Sequence, residues 1–376
     1  MHEIFINIIN SQNSSIELVA EAVQGLNNMT SDNYNRDRDF FTVRLAERLM
    51  ELIDLTANIE TEPHKSCHEF SIRALYNSFK PPDLLREIGP IPILRKMLHY
   101  VNQPLDYQNL SIIKTDHLQL ALKAVNVTTN YELAEYFIPF LRDNFAFVRK
   151  IVSLIDTIPS LAPELCRIVG NLVSTENEEL SIIILSETDY LDKINNIIRN
   201  SNDKVLVCDV CYDISNITGG TVMKHIEMVV YNEIFSELIA LAKTGAPKIR
   251  KEAGWAVIHT TKHLDISLLE KLIELGIIEL LCELMAAQEL GLYLGCLQAF
   301  AWLLRKMETV VDNQIIIYNP VAIKIGDCGG IETISAAHLN TQATNLQTKI
   351  MEKYFGNSYE EFLARRRGLK LKKAVR

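Results

Sequence analysis

Apolar residues recur at three- and four-residue spacing through IFSELIALAK (234–243), LLEKLIELG (268–276) and IIELLCELMAA (277–287). That spacing places them on one side of a helix, so each stretch is predicted to be a helix buried along one face. Polar breaks separate the stretches, at Thr218–Gly220 and again at Thr244–Pro247. Gly276 stands where one helix must stop and the next begin, the place for a left-handed C-terminal cap. No strand-like alternation runs for any length. No segment approaches the roughly 18 uninterrupted apolar residues that a membrane span requires.

The helical pattern repeats. With Tyr212 placed on Trp255, VCDVCYDISNITGG (207–220) aligns with KIRKEAGWAVIHTT (248–261), and Asn216 falls on His259. In the same frame Arg167 and Asn171 of LCRIVGNLVST (165–175) take the ring and amide positions. Upstream the pairs are Leu122 with Asn126, Arg73 with Asn77 and Val23 with Asn27; downstream they are Gln298 with Trp302. The amide series 27, 77, 126, 171, 216, 259, 302 steps by 50, 49, 45, 45, 43 and 43 residues. The similarity around the first two rungs is weak. A period of about 40–47 residues with two or three helices per unit is that of armadillo and HEAT arrays, whose units bury their apolar faces only against neighbours. The expected fold is an all-α, armadillo-repeat, right-handed solenoid of about seven to eight repeats.

The marked helix carries a chemistry. Trp255 and His259, like Tyr212 and Asn216, are four residues apart and share one helix face. Three residues before each ring stands an acid, Glu252 and Asp209. Stacked units would line up rows of carboxylates, rings and amides, which suit an extended peptide rich in lysine and arginine. Amides both donate to and accept from a peptide backbone. Rings receive methylene stems and cationic heads for roughly 0.5–2 kcal/mol each, and carboxylates make charge-assisted bonds to the heads. The competing reading is that Asn and Trp only pack one repeat against the next.

Composition narrows the partners. Of 376 residues, 48% are hydrophobic and 23% charged, which excludes wholesale disorder. With 15 Gly and 11 Pro, the chain is too poor in turn formers for a loop-rich all-β protein. Residues 365–376 hold seven cations and no acid, so a net charge of −9 overall leaves −16 on the rest. An acidic body disfavours nucleic acid and favours basic ligands. The opening MHEIFINIINSQ has no basic region leading into an apolar stretch, so no secretory signal is expected. Seven scattered Cys fit reduced thiols of the cytoplasm or nucleus.

At these residues the chain resembles the importin-α family, the adaptors for cargo bearing nuclear localisation signals. RKEAGWAVIH is similar to that family's Lys-Lys-Glu-Ala-Cys-Trp-x-x-x-Asn helix, with His259 in place of Asn. CYDISNITGG resembles its CW-x-ISNITAG, and CRIVGNLVS its LRAVGNIVT. GGIETI (329–334) and IMEKYFG (350–356) are similar to the end of its last repeat. The resemblance is specific from about residue 163 to 356. It implies an array over 1–356, with divergent repeats in 1–162, and a basic tail over 357–376. It further implies a function, nuclear import through binding of basic localisation peptides, and a protein found in cytoplasm and nucleus. Carried over residue by residue, Asn171 and Asn216 would hold ligand backbone, Trp255 and Tyr212 would wall the side-chain slots, and Glu252 and Asp209 would take cationic heads. Arg167 stands where that repeat of the family also has Arg, and His259 stands in for one amide clamp.

The resemblance also brings in importin-β and the recycling exportin as partners. Nothing before residue 36 resembles the family's basic importin-β-binding segment, so the chain reads as starting near the third repeat and direct coupling to importin-β is not expected. Val23, Arg73 and Leu122 replace indole rings nearest the family's major site, which weakens that site. The tail RRRGLKLKK (365–373) is either a solvated charge run or a segment that occupies the groove itself. The alternative function is an armadillo scaffold that has lost transport or competes for cargo. Cys208 with Cys211, and His259 with His263, have metal-ligand spacing but lack completing ligands, so no metal, cofactor or catalytic residue is expected.

Overall fold

A computed structural model describes residues 2–31, 40–57, 59–78, 134–174, 178–286, 290–311, 319–336 and 341–356, with isolated positions between 87 and 126. Among the described residues there is helix and no strand. The chain divides into two compact units, Met1–Thr188 and Asp189–Arg376.

In the first unit, α1 (His2–Asn10) packs on α2 (Ile16–Ser31), and α3 (Val43–Thr56) packs on α4 (Glu62–Ser78). The Thr42 hydroxyl accepts from the Leu45 amide and starts α3, which buries Leu45, Leu49, Leu52 and Ile53 at helical spacing. Further on come α5 (Ala134–Asp143), α6 (Phe145–Thr157), α7 (Ala162–Val173) and α8 (Glu178–Glu187). Pro163 in the first turn of α7 needs no backbone donor there.

The second unit contains α9 (Tyr190–Asn200), α10 (Lys204–Gly219), α11 (Met223–Val230), α12 (Ile234–Thr244), α13 (Pro247–His259), α14 (Ile266–Glu274), α15 (Ile277–Ala286) and α16 (Leu290–Val311). It ends with α17 (Pro320–Asp327), α18 (Gly330–Ala336), α19 (Thr341–Ile350) and a π-turn at Met351–Phe355. Asp203, Asp265 and Asn319 cap α10, α14 and α17 through their side-chain oxygens. Gly276 has φ 83°, the left-handed cap expected between α14 and α15. Gly356, also at positive φ, closes the last described turn by donating its amide to the Met351 carbonyl.

Packing in this unit sorts the helices into three rows. The row α10, α13, α16 consists of the marked helices, each packed on the next, and α19 continues it. A second row runs α9, α12, α15, α18, and α11 packs on α14 in a third. Each repeat is therefore a triplet, such as α11–α12–α13 or α14–α15–α16. Three helices per unit, with the 43-residue step, is the armadillo arrangement and not the two-helix HEAT one.

Candidate functional site

The marked helices are buried on nearly every side, and what remains accessible is one narrow stripe. In α10 it consists of Val205, Cys208, Asp209, Tyr212 and Asn216, while 206, 207, 210, 211, 213–215, 217 and 218 are buried. In α13 the counterparts 43 residues on, Lys248, Lys251, Glu252, Trp255 and His259, are all accessible, as are Pro247 and Arg250 in the first turn. The same positions are accessible in α16 as Gly291, Leu294, Gln298 and Trp302, except that Gly295, opposite Glu252, is buried. Five of the expected site residues of this unit thus lie on adjacent parallel stripes with the sixth, His259, completing the set. Residue 345, an exposed Asn on α19, continues the 43-residue step; its flanks, TQATNLQT, lack the ring and acid that would have marked it.

Tyr212 stands 54% exposed, the reach of a side chain with open space around it. Trp255 is half-buried, because its indole lies against α16 where that helix has no side chains. A methyl group built at Gly295 would come 2.9 Å from Trp255 Cζ3 and 3.0 Å from Cη2, and one at Gly291 would come 3.7 Å from Cζ2. The His259 ring sits 5.4 Å from the Trp255 ring, tilted by 34°.

His259 is tied to its neighbouring repeat. Its Nδ1–H donates to the Ser215 carbonyl at 2.9 Å, and Gly219 leaves room for the ring: a methyl group there would meet Nδ1 at 3.0 Å. Burial lowers the imidazole pKa from its ordinary 6.5, the Ser215 hydrogen bond pulls it part of the way back, and nearby Lys262 lowers it again. The neutral ring then carries its proton on Nδ1 and offers Nε2 as an acceptor. Among the described residues the Asn216 amide has no hydrogen-bond partner.

Asp209 and Glu252 both act on the Cys208 thiol. Burial is the main cause of its raised pKa, followed by Glu252 of α13 and then Asp209, while Lys248 pulls it back. Cys211 is pushed up to about 12, first by burial. Both thiols stay protonated at neutral pH, which suits packing. Among the described residues no cluster of His, Cys, Asp or Glu is arranged to hold a metal, and no helix is long and apolar enough to cross a membrane.

In the first unit Arg167 is exposed and Asn171 half-buried, on the accessible stripe of α7. Asn171 Nδ2 donates to Asn126 Oδ1 at 2.9 Å. Glu164, three residues before Arg167, receives Gln119 at 3.4 Å and Lys123 at 3.7 Å. The first rungs differ from expectation. Asn77 donates to Asn27 at 3.2 Å and both are buried, as is Val23; the accessible side of α2 carries Gln24 and Asn28 instead. The amide frame is in register there, yet its side chains face inward and satisfy each other. Leu122 is fully buried, and Arg73 is paired with Glu69.

No family model matches the chain, and no curated protein matches it. Solved structures do. An engineered protein superposes with a TM-score of 0.67 at 14% identity, over 93% of this chain and 88% of its own. A designed armadillo repeat protein in complex with the peptide (KR)4 gives 0.54 at 20% identity, over 69% and 98%. Computationally designed armadillo repeat proteins for modular peptide recognition give 0.56 at 17%, over 69% and 99%. At such identities the similarity concerns the fold: the chain is an all-α solenoid of the armadillo type.

Proposed function

We propose that the chain is a receptor for extended peptides rich in lysine and arginine, and that it serves nuclear import as an importin-α-like adaptor moving between cytoplasm and nucleus. The observation that carries this reading is the pair of accessible stripes on α10 and α13, with Asp209, Tyr212 and Asn216 in register with Glu252, Trp255 and His259. The rings take the stems of ligand side chains, the carboxylates take their cationic heads, and the Asn216 amide with His259 Nε2 holds ligand backbone. A solved neighbour of this fold carries a peptide of alternating Lys and Arg, and the importin-α-like motifs fall on these same helices. Asn171 and Arg167, on α7 of the first unit, keep the roles that the resemblance implies. The recycling exportin and the chain's own segment 365–373 belong to the proposal as further partners.

The test is fluorescence anisotropy with a labelled monopartite basic peptide. Trp255→Ala and Asn216→Ala should each weaken binding by tenfold or more, and affinity should fall steeply with salt. The second reading, a scaffold for another protein, is favoured by the inward-facing rung at Asn27 and Asn77. It predicts no salt-sensitive peptide binding and no effect of either substitution.

A further inference from the structure

Beyond the amide position, two neighbouring stripes each continue to an exposed cation. Lys262 follows His259 by three residues, and its backbone amide donates to the His259 carbonyl at 3.1 Å. Arg305 follows Trp302 by three residues, on the same face of α16. The two cations are 43 residues apart and so hold one register position on consecutive repeats. Arg305 lies inside α16 and not in its last turn, where a cation would serve the helix dipole. Neither cation has an acid partner among the described residues, and the acids three residues on are already engaged. Asp265 accepts from the Leu268 amide at 2.7 Å as the cap of α14, and Glu308 pairs with Lys353 Nζ at 2.9 Å. Exposed cations on other rows, such as Arg199 and Lys243, are matched with acids. The opposite end of the stripes is mixed, with Lys248 and Lys251 beside Glu252, and Asp209 on α10.

We infer that the face binds a mixed-charge segment in which acidic residues alternate with basic ones, and that Lys262 and Arg305 recognise the acids. The inference rests on the basic-peptide reading above and deepens it. An extended chain crossing the stripes turns alternate side chains to opposite sides. Those turned toward the first turns of the helices reach Asp209 and Glu252, which suit lysine or arginine. Those turned the other way pass the amide positions and reach Lys262 and Arg305. A cation there meets like charge, whereas an aspartate or glutamate meets a cation with no acid of its own. The planar guanidinium of Arg305 adds two parallel N–H donors for a carboxylate. A purely basic run leaves both cations unmatched.

The experiment uses the full chain and three labelled octapeptides: lysine alternating with alanine, lysine alternating with glutamate, and a block of lysines followed by a block of glutamates. Binding is read at about 0.15 M salt, where long-range attraction is screened. The alternating Lys-Glu peptide should bind at least as tightly as the Lys-Ala peptide, although it carries no net charge, and several-fold more tightly than the block peptide. Lys262→Ala combined with Arg305→Ala removes two exposed side chains, so the fold is retained. The double variant should lose about tenfold in affinity for the Lys-Glu peptide and keep its affinity for the Lys-Ala peptide within about twofold. Three results would overturn the inference and leave the receptor reading standing: a Lys-Glu peptide weaker than Lys-Ala, one no tighter than the block peptide, or a double variant that treats the two alternating peptides alike. Failure of every lysine peptide to bind the unaltered chain would overturn both.

Discussion

At the scale of single residues, His259 is the group whose behaviour is most sharply set by its surroundings. Its folded pKa lies below the ordinary 6.5, so the unfolded chain binds this proton more readily than the folded one. The stability that follows is fully present above about pH 6.5 and is lost as pH falls through the lowered folded value. His263 is shifted the same way, chiefly by burial, and adds to the trend. Thermal melts between pH 7.5 and 5.5 should show a falling Tm, with a smaller fall in His259→Asn, whose amide can still reach the Ser215 carbonyl without a proton to gain. An unaltered pH profile in that variant would remove His259 from the account. Peptide affinity should weaken over the same range, since a protonated ring adds a cation beside the ligand's own. The sequence made the position of His259 legible through the 43-residue step. It did not reveal the tie to Ser215, because that bond depends on Gly219 leaving room across a helix interface.

At the scale of helices, neighbouring repeats are stitched together by a few specific contacts besides apolar packing. Thr218 Oγ1 of α10 donates to the Ala256 carbonyl of α13 at 2.9 Å in a fully buried setting. Arg199 of α9 bridges to Glu233 and Glu237 at 3.1 and 2.8 Å, and Lys243 of α12 reaches Glu283 of α15 at 3.0 Å. Exposed pairs of this kind contribute little individually, so the buried bond is the one to remove. Thr218→Val should cost about 1 kcal/mol in chemical denaturation, while Lys243→Ala should be nearly silent. A larger loss from the surface substitution would reverse that ranking. Helix positions and their period were legible from the spacing of Leu, Ile and Val. Which way the marked face points was legible only where both flanks are packed, as in α10 and α13. In α2 the same frame put Val23 and Asn27 inside, because the amide of Asn77 waits there to pair with Asn27.

At the scale of the whole molecule, charge is the property that single helices do not reveal. The seven cations of 365–376 sit on a chain otherwise at −16, and this tail lies outside the described residues. If segment 365–373 competes for the groove, deleting 357–376 should raise affinity for a basic peptide several-fold at low salt, with the gain shrinking as salt screens both charges. Unchanged affinity would make the tail a bystander. The parallel stripes on α10, α13 and α16 carry one more consequence, a matter of two rulers with different graduations. Packed helices stand about 8–10 Å apart, whereas an extended chain advances about 3.3 Å per residue and turns every second side chain to the same side. Two residues fall short of one helix step by a few ångströms, and the shortfall accumulates along the ligand. Beyond a handful of residues the two scales drift out of phase, so lengthening a basic run should bring steadily smaller returns.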